Sequence, residues 1–105
     1  MPTEAGLAAW IVASLALVAP GGLFILIHRP DVLPLILQAL AGRAGGIAVL
    51  PVYPRRETKA GRILVRGEKG SRAPLAIAPP LVLHDGQSFT DTAEAIHQGW
   101  ATIEW

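Results

Sequence analysis

The chain has 105 residues, 51% of them hydrophobic and only 16% charged, which is enough for one small domain and no more. It has no cysteine, which excludes a disulfide framework, a thiolate metal site and a cysteine nucleophile, and fits a reducing, cytoplasmic setting. A formal net charge of +1 makes no global demand for nucleic acid or an anionic membrane as partner.

From Gly6 to Ile27 no residue is charged, so the run meets the length criterion for a membrane span. Arg29 follows it as a flanking cation would, and Trp10 stands near the other end as an interfacial aromatic would. Pro20-Gly21-Gly22 interrupts the run with a turn signal. The simpler reading is a helix over residues 5–19, a turn, and a strand over residues 23–27. A strand apolar at every position suits a parallel-type strand covered on both faces. A helix with hardly any polar face suits one packed deep in an α/β body. A small single-span membrane protein stands as the alternative.

Asp31 is placed to cap a second helix over residues 32–41, with Pro34 in its first turn and Gly42 as a left-handed stop. Residues 47–53 read as a strand in which Pro51 predicts an edge or a bulge. A polar, mobile loop over residues 54–61 leads to a strand over residues 62–66, and the two strands pair antiparallel. Residues 75–80 are irregular or extended, residues 81–84 a short strand, and Asp85-Gly86 a turn. Thr90 or Asp91 caps a last helix, with Glu94 in capping-box position and Gly99 ending it. The order is helix, strand, helix, an antiparallel strand pair, a short strand and a final helix, an α/β pattern short of strands.

Catalytic constellations are missing. His28, His84 and His97 are isolated, so no metal site is expected. The carboxylates are scattered and fit caps and turns, and no serine has nucleophile-elbow context. Pro20-Gly21-Gly22 precedes a strand, which rules out a dinucleotide fingerprint or a P-loop. One charge feature is distinctive. Seven of the nine Lys and Arg are Arg55, Arg56, Lys59, Arg62, Arg66, Lys69 and Arg72, and against Glu57 and Glu68 they leave a local excess of five. Such a hairpin contacts phosphates, or is a solvated segment guarding a strand edge with charge. The candidate RNA-contacting residues are Arg55, Arg56, Lys59, Arg66, Lys69 and Arg72.

The stretch from Leu7 to Leu40, with Leu17-Val18-Ala19-Pro20-Gly21-Gly22 and His28-Arg29-Pro30-Asp31, resembles the fourth helix, fifth strand and following helix of class I S-adenosylmethionine-dependent methyltransferases. Leu50-Pro51-Val52-Tyr53-Pro54-Arg55, the stretch from Arg62 to Leu75 and Leu81-Val82-Leu83-His84 resemble the C-terminal end of bacterial tRNA adenine-N6 methyltransferase-like proteins. The resemblance implies the C-terminal part of a Rossmann-like methyltransferase sheet, one partial domain over residues 1–105, in which the last strand of an antiparallel hairpin inserts beside the fifth. It also implies S-adenosylmethionine as cofactor of the intact family and tRNA as partner of the basic hairpin. The family's glycine-rich turn after its first strand, acidic residue after its second and Asn-Pro-Pro-Tyr motif after its fourth have no matching positions here. No catalytic or cofactor residue is therefore carried over, and no cofactor is expected on this chain alone. The apolar strand and helix need covering, by a homo-oligomer or by an N-terminal half.

Overall fold

In the computed structural model, which describes residues 4–85 and 88–89, the long apolar run is broken at the Pro-Gly-Gly turn. Helix α1 (Glu4–Ala16) stops short of it, and the chain enters strand β1 (Leu23–His28) through a turn in which the Gly22 N–H donates to the Ala19 carbonyl at 2.8 Å. Gly21 takes φ +81° there, a conformation that glycine adopts without steric cost. No helix among the described residues is long and apolar enough to cross a membrane. The expected final helix, with His97, Thr90, Asp91, Glu94 and Gly99, lies outside the described residues.

After β1 a short 3-10 turn (Pro30–Val32) leads into α2 (Leu33–Leu40), and Gly42 takes φ +75° just beyond its end. Asp31 does not cap. The 3-10 turn puts Val32 at the capping position of α2, and the Asp31 carboxylate instead lies 3.4 Å from Arg29 Nε. Strands β2 (Ala44–Arg55), β3 (Arg62–Lys69), β4 (Ala76–Ile77), β5 (Leu81–Asp85) and β6 (Ser88–Phe89) follow.

The sheet order is β1-β3-β2-β5-β6, with β4 also on β2. Strand β3 runs antiparallel to both β1 and β2, so those two are parallel to each other. Strands β4 and β5 are parallel to β2, and β6 turns back antiparallel on β5. The hairpin's second strand thus inserts between its own first strand and β1. Strand β2 begins three residues earlier than its apolar run, because Ala44 and Gly45 pair with Lys69 and Glu68 before a register shift. Gly45 is required at that point: a Cβ would overlap the backbone carbonyl of Ser71.

Pro51 lies neither at a sheet edge nor in that bulge. It is paired in register with Ile63. On the side of β2 away from β3, the Val49 carbonyl accepts the Ala78 N–H at 2.8 Å, and alternation along the strand turns the Pro51 nitrogen the same way. It therefore falls between the β4 pairing, which ends at Val49, and the β5 pairing, which begins at Val52, where no ladder donor is needed.

Both helices pack on one face of the sheet. Leu7, Ile11 and Leu15 of α1, spaced one helical turn apart, meet Val32, Ile36 and Leu40, and with Phe24, Leu26, Val49, Ile63 and Val65 they form the main core. The Trp10 ring stands edge-on to Phe24 with centroids 6.3 Å apart. A smaller cluster of Leu50, Val52 and Ala78, backed by Leu64, Leu81 and Leu83, occupies the other face. Two expectations are corrected here. Strand β1 pairs antiparallel and is covered on one face only: Phe24 and Leu26 are buried, while Leu23, Ile25 and Ile27 are 55%, 56% and 52% exposed. Helix α1 is not enclosed all round, since one sheet face and α2 bury only its Leu7, Ile11 and Leu15 stripe and leave Ala9 and Ala13 outside.

Candidate nucleic-acid interface

The three longer parallel strands β1, β2 and β5 end at the same edge of the sheet, at His28, Arg55 and Asp85, and the antiparallel β3 starts there at Arg62. Ligands of open α/β sheets gather at the carboxyl ends of parallel strands. The hairpin projects past β1, because Val52 pairs with Arg62 while His28, the last residue of β1, pairs with Ile63.

The tip is a built turn. Thr58 Oγ1 donates to the Arg55 carbonyl at 2.9 Å and accepts the Arg55 N–H at 3.3 Å, while the Gly61 N–H donates to Val52 at 2.9 Å. Arg62 Nη1 donates to the Gly61 carbonyl at 2.7 Å. These bonds fix the backbone that carries the exposed side chains of Arg55, Arg56 and Lys59. Next to them His28 Nδ1 accepts the Arg29 N–H at 2.8 Å, which orients the loop leaving β1.

The six candidate cations do not form one patch. Arg55, Arg56 and Lys59 lie at the carboxyl end. Lys69 lies at the other end of β3, about 23 Å away at ~3.3 Å per residue, with Arg72 just beyond it. Lys69 is also engaged, its Nζ donating to the Val18 carbonyl at 2.8 Å. Arg66 is half-buried in mid-strand, in register with Ile25 on one side and Ala48 on the other. Two cations outside the candidate set join the first group, Arg29 and Arg62. Arg29 follows the last residue of β1 and Arg62 is the first residue of the antiparallel β3, positions that meet at one edge only once the sheet order is known. Among the described side chains the carboxylates at the same end are Asp31 and Glu57.

The opposite end of the sheet is a knot of backbone bonds. Gly21 donates to Lys69 and Lys69 to Gly22, each at 2.9 Å, Gly46 donates to Ala73 at 2.9 Å, and Gly70 donates to Arg43 at 3.1 Å. The four glycines with positive φ among the described residues, Gly21, Gly42, Gly46 and Gly70, all belong to this end. They shape connections. Among the described residues the carboxyl end offers Gly61, and its N–H is already bonded to Val52.

An open parallel core with both helices on one face, an antiparallel strand inserted beside β1 and a ligand edge at the strand carboxyl ends defines part of a Rossmann-like methyltransferase fold. No family model and no curated protein matches the chain. Among solved structures it is similar to a predicted O-methyltransferase, protein Atu636 from Agrobacterium tumefaciens, with a TM-score of 0.90 and 33% sequence identity. That likeness covers 97% of this chain and 50% of the Agrobacterium protein, so the chain spans half the length of that relative.

Proposed function

We propose that this chain is the C-terminal portion of an S-adenosylmethionine-dependent methyltransferase-like protein whose whole form methylates N6 of adenine in tRNA, and that its part in that activity is to hold RNA. The observation that carries this reading is the gathering of Arg29, Arg55, Arg56, Lys59 and Arg62 at the carboxyl end of the sheet, the edge at which open α/β folds meet their ligands. Cations on a rigid hairpin neutralise phosphates and position a strand without reading its sequence.

The residues present do not fit S-adenosylmethionine by themselves. A nucleoside cofactor at a strand's carboxyl end is cradled by free backbone N–H groups on a glycine turn, and here the loop after β1 is His28-Arg29-Pro30-Asp31 while the left-handed glycines among the described residues lie at the other end. The cofactor's contacts then belong to the part of the methyltransferase that this chain lacks.

A second reading follows from the Agrobacterium relative's description as a predicted O-methyltransferase, in which the whole protein transfers the methyl group to oxygen. Titrating the purified chain with a labelled tRNA and separately with S-adenosylmethionine tests the first reading. RNA binding that weakens steeply with salt, with no heat of cofactor binding, is the expected outcome. Absence of RNA binding removes the hairpin's role, and micromolar cofactor binding refutes the division of labour.

A further inference from the structure

The single tyrosine of the chain stands among the cations of the hairpin. Val49 belongs to the core under the helices, and Pro51 pairs with Ile63 of the same core, so alternation along β2 puts Tyr53 and Arg55 on that face too. Parallel pairing sets Val82 beside Tyr53 and His84 beside Arg55. A phenol ring, an imidazole and a guanidinium therefore start from one face at the carboxyl end, on positions about 5–7 Å apart.

The core does not absorb these rings. Tyr53 belongs to neither apolar cluster, and among the described aromatic residues Trp10 and Phe24 pair with each other. On the β3 side the ladder ends at Val52 and Arg62, and the next residue of the hairpin is Gly61, which has no side chain to lay on the ring. Tyr53 and His84 are both half-buried, and Nδ1 of His84 is the buried side of its imidazole. Each ring is thus held by its surroundings while part of its surface stays open.

An aromatic face accepts any base by stacking, and cations beside it hold the phosphates, which is the combination that sites for unpaired nucleotides use. A duplex keeps its base faces stacked inside and would engage the cations without the rings. We propose that Tyr53 and His84 form a stacking platform for unpaired nucleotides, with Arg55, Arg56 and Lys59 holding the adjoining phosphates. The RNA taken at this end is then a single-stranded loop or end. The inference deepens the RNA reading and rests on it.

The test is fluorescence anisotropy of the 105-residue chain with a single-stranded RNA of about 12 nucleotides, a duplex of equal length, and an abasic strand of the same length and charge. The single strand should bind roughly 10-fold tighter than the abasic strand, with the same salt slope, because stacking releases no counterions. Tyr53→Leu should remove most of that advantage and leave the slope unchanged, and Tyr53→Phe should restore it, with circular dichroism confirming that both variants fold. The abasic comparison decides the matter on the unaltered chain even if Tyr53→Leu does not fold. Equal affinity for the abasic strand, preference for the duplex, or a folded Tyr53→Leu that binds like the parent would each overturn the platform and leave the phosphate contacts standing. Absence of binding to all three probes refutes the RNA reading itself, and the platform with it.

Discussion

The Lys69 ammonium donates to the carbonyl oxygen of Val18 at 2.8 Å, across 51 residues of sequence, and so fastens the last residue of β3 to the turn that follows α1. The carbonyl groups after a helix lack intrahelical donors, and a cation there both bonds them and complements the helix dipole.

Lys69→Met keeps the side chain's apolar stem and removes the donor. The expected loss is about 1–2 kcal/mol, a fall in melting temperature of several degrees for a domain of this size. An unchanged melt in differential scanning calorimetry would mean that water replaces the ammonium at no cost.

The separation of the basic residues into two ends predicts unequal effects on RNA. Replacing Arg55, Arg56 and Lys59 together by Ala should reduce the salt slope of binding to single-stranded RNA by about 2, from ~0.7 per phosphate contact. The pair Lys69→Met and Arg72→Ala, at the far end of β3, should leave the slope unchanged once folding is verified. Equal effects from both sets would show that RNA contacts the whole length of the hairpin.

Gly45→Ala should be severely destabilising, because the added methyl group meets the Ser71 backbone rather than a side chain that can swing away. A cost of about 2–3 kcal/mol is expected. Gly42→Ala meets nothing within 4 Å and suffers only from its φ of +75°, about 1 kcal/mol. Chemical denaturation of the two variants separates overlap from backbone strain, and equal midpoints would contradict the placement of Ser71.

Leu40 is completely buried at the end of α2, whereas Leu17 is 90% exposed after α1. Leu40→Ala should cost about 2–5 kcal/mol, and Leu17→Ala should stay within about 0.5 kcal/mol. A large effect at Leu17, read from urea midpoints at concentrations from 1 to about 50 times the lowest usable one, would reveal an interface over that residue.

Local signals in the sequence were sufficient for the types of α1, α2, β1, β2, β3 and β5. Pro20-Gly21-Gly22 divided the apolar run, Gly42 ended α2, and the arginine-rich connection marked the hairpin, since each rests on backbone chemistry confined to a few residues. Pro51 misled because an absent N–H implies an edge only if a ladder donor is needed there, and whether β4 and β5 leave a gap opposite it depends on residues some 25 to 30 positions later. Asp31 misled because the cap lies wherever the helix starts, and a 3-10 turn moved that start. The candidate interface was half legible. Charge counted along the chain grouped Arg55 with Lys69 and Arg72, whereas strand direction separates them and brings in Arg29.

Because β3 is the sole link between β1 and β2, the order of synthesis and the order of assembly conflict. Leu23 must wait for Glu68, 45 residues later, before its strand meets its partner in β3. At about 5–20 residues per second the nascent chain therefore displays β1 without its β3 partner for several seconds. During that interval an apolar strand is open to any chaperone or neighbouring nascent chain within reach.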